Sequence, residues 1–176
     1  FTNGPCNYGP SRKLTGQPKE VFAIMNYAVD DNERPIFYKK VVETVVHEFC
    51  HSFTKIKGDT EKALEKSGKA LQEYTYFSMR RQAYGTWRNI LEESLVRAAT
   101  ICYLIDHDYD EKDIRNAIIE QVDRNFFWMP ELVQTLRYYE SHRKKYPTFT
   151  SFYPEIIRFF DRYVTNMEKE MKKAMK

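Results

Sequence analysis

Apolar residues recur at intervals of three and four along most of this 176-residue chain, the spacing that places them on one face of an α-helix. The clearest stripe begins after Pro35, a residue suited to a first helical turn, and ends before Gly58, a residue typical of a helix end. Its members are Tyr38, Val41, Val42, Val45, Phe49, Phe53 and Ile56. The pattern therefore predicts a first long helix over this segment.

Five further helices are predicted from the capping residues, glycines and prolines of the remaining sequence. Asp59 or Thr60 can cap a second helix that runs to about residue 81, and Thr86 restarts the pattern after Gly85. The third helix carries one apolar face, formed by Leu91, Leu95, Ala98, Cys102 and Ile105. The last three are predicted from the cap-like Asp110 to about residue 126, from Pro130 to about residue 144, and from Pro154 toward the C-terminus.

One segment near the start of the chain has the character of a β-strand. Residues 1–19 are rich in Gly, Pro, Asn and Ser and are predicted to form a loop, whereas residues 20–29 are apolar and partly β-branched. No internal repeat or linker interrupts the pattern. The sequence thus predicts an α+β fold that is predominantly α-helical, in a single domain covering residues 1–176.

Composition mainly excludes classes of protein. A hydrophobic content of 42% fits a globular chain, and a net charge of +3 with interleaved acids and bases argues against nucleic acid as the main partner. No run of 18 apolar residues predicts a transmembrane segment, and three cysteines without regular spacing do not make a disulfide framework. No signal peptide is visible from Phe1, so the compartment stays open, and export to the periplasm or the medium is compatible with the sequence.

Residues 47–51 (HEFCH) form an HExxH motif inside the predicted first helix. Because helix positions i and i+4 lie on the same face, the imidazoles of His47 and His51 can bind one zinc ion. Glu48 then lies beside the metal as a base for water. The alternative is a pair of histidines that meet by chance on a polar helix face.

A catalytic zinc site takes three protein ligands and leaves one position open for water. The extended zincin motif would need Gly at position 54 and His at position 57, which Thr54 and Lys57 exclude. We therefore expect the third ligand to be a glutamate from a later helix: Glu61, Glu65, Glu73, Glu92 or Glu93. Glu93 is favoured because Arg97, one turn later, can hold its carboxylate in place. The alternative is an ordinary surface ion pair between the two.

The motif residues 47–53 (HEFCHSF) and residues 92–98 (EESLVRA) together resemble the gluzincin class of zinc metallopeptidases. More closely, nearly the whole chain resembles a bacterial zincin-like family of proposed peptidases whose function is unassigned. Residues 7–9 (NYG) and 146–160 (YPTFTSFYPEIIRFF) add to this likeness. The resemblance implies a short sheet beside an active-site helix, followed by a helical half. It also implies that His47, His51 and Glu93 bind Zn²⁺ and that Glu48 is the general base.

The function implied by this resemblance is zinc-dependent hydrolysis of a peptide or protein substrate. In gluzincins a Tyr or His often stabilises the oxyanion, and the candidates are His107, His142, Tyr146 and Tyr153. Tyr153 is favoured because it lies near the start of a predicted helix in the segment that carries the likeness. The alternatives are a catalytically inactive zincin-like protein that binds metal or peptide, and a helical interaction module with an accidental HExxH. The presence of Glu48 favours the enzyme, since a pure binding site needs no base.

The resemblance also raises two expectations about the sheet. Zincins usually place several strands before the active-site helix, and residues 1–46 leave little room for them, so part of the sheet is expected to lie outside this sequence. An extended substrate pairs with an edge strand in zincins. Whether the strand over residues 20–29 is such an edge or a plain core strand stays open.

Overall fold

The computed structural model of the chain describes residues 7–26, 29–36, 38–107 and 109–175. Two short strands precede a series of helices: β1 (Ser11–Arg12), β2 (Glu20–Val21), α1 (Lys39–Cys50), α2 (Gly58–Tyr74), α3 (Tyr76–Arg81), α4 (Trp87–Asp106), α5 (Glu111–Asp123), α6 (Met129–Ser141) and α7 (Phe149–Ala174). The predicted α+β class, predominantly α-helical with a small sheet near the start, is confirmed.

The small sheet is a hairpin rather than a single long strand. β1 and β2 pair antiparallel, and an isolated bridge between Tyr8 and Ile24 continues the same register. The prediction was wrong about residues 1–19, because part of this segment supplies the partner strand. The strand predicted over residues 20–29 was also too long, because β2 covers only Glu20–Val21. Residues 27 and 28 lie outside the described residues. Pro10 accepts a hydrogen bond from Phe22 but has no N–H to return, which helps to keep the ladder short.

The hairpin lies against α1, the helix that carries the HExxH motif. A Cβ atom on residue 9 would overlap the carbonyl oxygen of Glu48, so only glycine allows the two backbones to approach this closely. Directly before β2, the Lys19 ammonium donates to the backbone carbonyl of Ser52, which follows α1, at 2.8 Å. Gly9 of the NYG segment is therefore a packing residue that holds the sheet next to the motif.

α1 is shorter at both ends than the apolar stripe predicted. At the start, Val29 bridges to Pro35, and the Asp30 carboxylate accepts from two backbone N–H groups of the intervening turn. These contacts keep Pro35 outside the helix. At the end, the N–H of Ile56 donates to the Glu92 carboxylate at 3.0 Å, which draws the chain away from the helix and onto α4. Ile56 is fully buried there.

Side-chain hydrogen bonds also shift the other helix boundaries. The predicted second helix is two helices, because the Thr75 hydroxyl bonds back to the carbonyl of Leu71 where the chain bends. α7 begins before Pro154, the predicted start, because Thr148 and Ser151 form a reciprocal capping box. Thr86, where the pattern was predicted to restart, caps α4 by accepting from the N–H of Asn89.

α4 is the central helix of the core. It packs against α1, α2, α5 and α6, and α7 covers α2 and α6. Four of the five residues predicted on its apolar face are buried: Leu91, Leu95, Ala98 and Cys102. The Trp128 indole, also fully buried, donates to the hydroxyl of Ser94 at 2.9 Å and ties α4 to the segment before α6. A side chain on the α1 side of α4 is thus held by a helix that packs against four others.

In the part of the chain that the structure describes, no helix combines the length and the apolar character needed to cross a lipid bilayer.

Candidate metal centre

The two histidines of the motif lie side by side at the C-terminal end of α1. His47 belongs to the last turn, and His51 is the capping residue that still has helical backbone angles. Their ring centroids are 5.0 Å apart, and the rings are nearly perpendicular. Each side chain is about four-fifths buried, at 22% and 23% exposure. The i, i+4 spacing thus presents both imidazoles on one face, as predicted.

Glu93 of α4 meets both imidazoles. Its Oε1 lies 3.4 Å from Nε2 of His47, and its Oε2 lies 3.7 Å from Nε2 of His51. The three side chains each offer a ligand atom, and these atoms all lie within 4.8 Å of one another. Glu93 is itself buried, with 6% exposure.

The other four candidate glutamates are engaged elsewhere or exposed. Glu92 accepts from the backbone of Ile56 and from Lys55, so it anchors the chain after α1. Glu61 pairs with an arginine of α4, Glu65 pairs with a lysine one turn along α2, and Glu73 is exposed on α2. Among the described residues, the structure brings one of the five predicted carboxylates to the histidine pair.

The donor set fits a zinc ion. Zinc lies about 2.0 to 2.2 Å from nitrogen and oxygen ligands, so two donors of a tetrahedral site are about 3.4 Å apart. The distance from Nε2 of His47 to Oε1 of Glu93, 3.4 Å, equals that value, and the distance from Nε2 of His51 to the other Glu93 oxygen, 3.7 Å, is slightly longer. Burial lowers the pKa of His47 to about 4 and also lowers that of His51, so both rings are neutral near pH 7. Neutral imidazole is the form that binds a metal.

Arg97 forms an ion pair with the Glu93 carboxylate, at the same oxygen that lies near His47. Its Nη2 lies 2.9 Å from Oε1 of Glu93, and its Nη1 donates to the side chain of Gln121. The guanidinium also lies over the ring of Phe126, 5.0 Å from its centroid. The arginine side chain is 13% exposed, so this ion pair is largely withdrawn from water. These contacts restrict the carboxylate to one orientation.

Glu48 lies next to the cluster but is not part of it. It is 7% exposed and, with His47, lines a groove between α1, α4 and α5. Burial, and next the charge of Glu93, raises the pKa of Glu48 to about 7. A carboxyl group with a pKa near neutrality is suited to accept and return a proton.

A comparison with models of protein families shows which family the chain belongs to. A family described as a domain of unknown function, DUF4932, matches residues 4–159. The chain belongs to this family. The matched part of the DUF4932 domain contains the histidine pair, Glu48, Glu93 and Arg97, together with the hairpin. Neither a curated protein nor a solved structure matches the chain.

In the described part of this DUF4932 domain, none of the four residues predicted to stabilise an oxyanion lines either of the two cavities that flank the cluster. Tyr153 is buried in the core, and its hydroxyl donates to the carbonyl of Lys55 at 3.1 Å. Tyr146 donates to Glu155, while His107 and His142 each donate from Nδ1 to a backbone carbonyl one turn earlier on their own helices. The role predicted for Tyr153 stays a prediction, and its hydroxyl already has a partner.

Tyr84 is a residue of the site that the sequence did not reveal. Its hydroxyl accepts from Nη2 of Arg97 at 2.9 Å, and its side chain lines a cavity of about 280 Å³ with His51 and Glu93. Burial, and then the charge of Glu93, raises the pKa of Tyr84, so the hydroxyl keeps its proton. Tyr84 follows Ala83, which has a positive φ of 67°. No periodic signal separates Tyr84 from the other tyrosines, because a loop conformation places it.

Proposed function

We propose that this DUF4932 domain is a zinc-dependent peptidase. The observation that carries the proposal is the convergence of His47, His51 and Glu93, with the Glu48 carboxylate on the adjoining wall of a groove. Three ligands of this type leave a fourth position for water or substrate, which is the arrangement of a catalytic rather than a structural zinc site. A protein that only binds metal or peptide would not need a buried carboxyl group with a pKa near 7 at this place.

When bound, zinc supplies Lewis acidity, which polarises the scissile carbonyl and makes water a stronger nucleophile at neutral pH. Glu48 takes a proton from the attacking water and passes it to the departing amine. Tyr84 lines the cavity on the His51 side, whereas Glu48 lines the groove on the His47 side. The Tyr84 hydroxyl accepts from Arg97 and keeps its own proton, which it shares with the Glu93 carboxylate at rest and donates to the oxygen that gains charge during the reaction.

The hairpin offers an edge for an extended substrate. Tyr8 pairs with Ile24 and Pro10 pairs with Phe22 through backbone hydrogen bonds, so the N–H and C=O of Gly9 point away from β2. In the described part of the chain these two groups of Gly9 have no hydrogen-bond partner. An extended peptide that pairs with this edge lies next to α1. The edge proposed for substrate is therefore that of residues 7–11 rather than the strand predicted over residues 20–29.

Two measurements test the function together. Purified protein is expected to bind one zinc ion per chain by elemental analysis, and to cleave members of a random peptide library. Chelation should abolish cleavage, and added zinc should restore it, because three protein ligands leave the fourth coordination position of the ion open to a chelator. Protein that neither contains nor accepts zinc, or zinc-loaded protein that cuts nothing, would contradict the proposal.

Replacing Tyr84 by Phe is expected to lower kcat by about 100-fold, the usual effect of losing one hydrogen bond to a developing oxyanion. Zinc affinity should change little, because Arg97 keeps its ion pair with Glu93. The matched control is Tyr153→Phe, which removes a hydroxyl bound to the carbonyl of Lys55. The control is expected to retain kcat. The opposite result, with kcat lost in Tyr153→Phe and kept in Tyr84→Phe, would return the role to Tyr153.

A further inference from the structure

The groove beside Glu48 has a volume of about 350 Å³, which is enough for one or two substrate side chains. It begins at His47 and Glu48 and runs along α1 toward its N-terminal end. Its apolar lining comes from Ile101, Leu104 and Ala117 of α4 and α5. The rest of the lining is polar, so the groove is not built for a purely apolar side chain.

Besides Glu48 and Arg97, four charged residues of α1 and of the C-terminal end of α5 line the groove: Lys40, Glu43, Glu120 and Arg124. Lys40 lies 3.1 Å from Glu43 and 3.8 Å from Glu120, and Arg124 lies 2.9 Å from Glu120. The Glu43 side chain is 20% exposed, against 63% for Lys40 and 47% for Arg124. Of these four, the least exposed is therefore the acid Glu43, whereas both cations and Glu120, at 43% exposure, are solvated.

The distance from the histidines to Glu43 suits a long side chain. Glu43 precedes His47 by four residues, which is about 6 Å along a helix axis. The charged end of an extended Lys or Arg side chain lies roughly 6 to 7 Å from its Cα atom. A substrate residue held beside the scissile bond, with its side chain along α1, thus brings its charge to Glu43.

We propose that this groove is the specificity subsite of the peptidase and that it takes a basic side chain of the substrate, lysine or arginine. The incoming cation displaces the exposed Lys40 ammonium and lies between Glu43 and Glu120. An acidic side chain would instead bring its carboxylate next to Glu43 and leave Lys40 to neutralise both. An apolar side chain would remove water from four charges and compensate none of them. This inference rests on the proposed function for the location of the scissile bond.

The first test is cleavage-site profiling of a random peptide library by the zinc-loaded wild-type protein. A basic residue is expected at one fixed position next to the cut, favoured about tenfold over a neutral residue of similar length. Glu43→Gln should remove most of this preference, and Glu43→Lys should shift it toward Asp and Glu. Lys40→Ala should strengthen the preference for basic residues, because it removes the competing cation. Glu65→Gln, an exposed acid on α2, is the matched control and should leave the profile unchanged.

A second readout separates failure of the subsite from failure of the peptidase function. Glu48→Gln protein loaded with zinc is titrated with fluorescent peptides that differ only by Lys, Gln or Glu at a central position. The Lys peptide is expected to bind about tenfold more tightly than the Gln peptide, and Glu43→Gln in the same background should abolish the difference. Equal binding of the three peptides overturns the subsite even when the wild type cleaves. A Lys preference without any cleavage in the wild type retains the subsite and overturns the peptidase function.

Discussion

Replacing Glu48 by Gln is expected to lower the rate of peptide hydrolysis by roughly 10²- to 10⁴-fold, the usual contribution of a positioned base. The amide has the shape of the carboxylate but cannot take a proton from water. Glu48 is not among the three ligand groups, so zinc should stay bound. Burial and the charge of Glu93 raise the pKa of Glu48 to about 7, which means that the folded protein disfavours the charged form. A neutral side chain should therefore leave the free energy of unfolding above pH 7 unchanged or increase it.

The experiment compares kcat, zinc content and thermal unfolding in wild type, Glu48→Gln and the exposed control Glu65→Gln. The expected result is loss of kcat in Glu48→Gln alone, with one zinc per chain in all three proteins. Undiminished hydrolysis by Glu48→Gln would show that the activity does not depend on this carboxyl group. Loss of kcat together with loss of zinc would show that Glu48 supports the metal rather than the proton transfer.

The helices were predictable from periodicity because burial against a common core imposes it, but their ends were not. The apolar stripe of α1 continues to Ile56, yet the helix ends at Cys50, because the N–H of Ile56 bonds to Glu92 of a distant helix. In the same way, Thr148 and Ser151 start α7 ahead of Pro154. Such boundaries depend on one or two hydrogen bonds, and a hydrophobic pattern carries no information about them.

Some residues of the candidate site could likewise be predicted from the sequence, and others could not. His47 and His51 share one helix face by spacing alone, and Glu93 was singled out because Arg97 follows it by one turn. Both are local relations within a helix, which a sequence displays. Tyr84 reaches Arg97 from a loop whose course depends on the positive φ of Ala83, and Gly9 reaches α1 from a hairpin that was predicted as a loop. Contacts of that kind arise only when separate segments pack together.

The second large effect concerns the metal. Glu93→Gln is expected to weaken zinc binding by more than about 100-fold, the upper end of what loss of a group that merely supports a ligand costs. The amide oxygen carries no full charge, and the two imidazoles alone provide fewer ligands than zinc requires. Peptide hydrolysis at limiting zinc should fall with the affinity. Gln rather than Ala is the suitable replacement, because Gln keeps an oxygen that can accept from the buried Arg97 guanidinium, whereas Ala would remove that oxygen and the packing of the side chain and would destabilise the fold itself.

Glu92→Gln is the matched control for this change, since it alters the neighbouring residue of the same helix in the same way. Glu92 bonds to Lys55 and to the N–H of Ile56, so its replacement affects the anchoring of the segment after α1 but removes no metal ligand. Zinc affinity, measured by competition with a coloured chelator, should therefore fall in Glu93→Gln and stay near the wild-type value in Glu92→Gln. Equal zinc affinity in Glu93→Gln and wild type would mean that the ion, if bound, has another third ligand. Equal loss in both variants would mean that the geometry of α4, rather than the Glu93 carboxylate, controls binding.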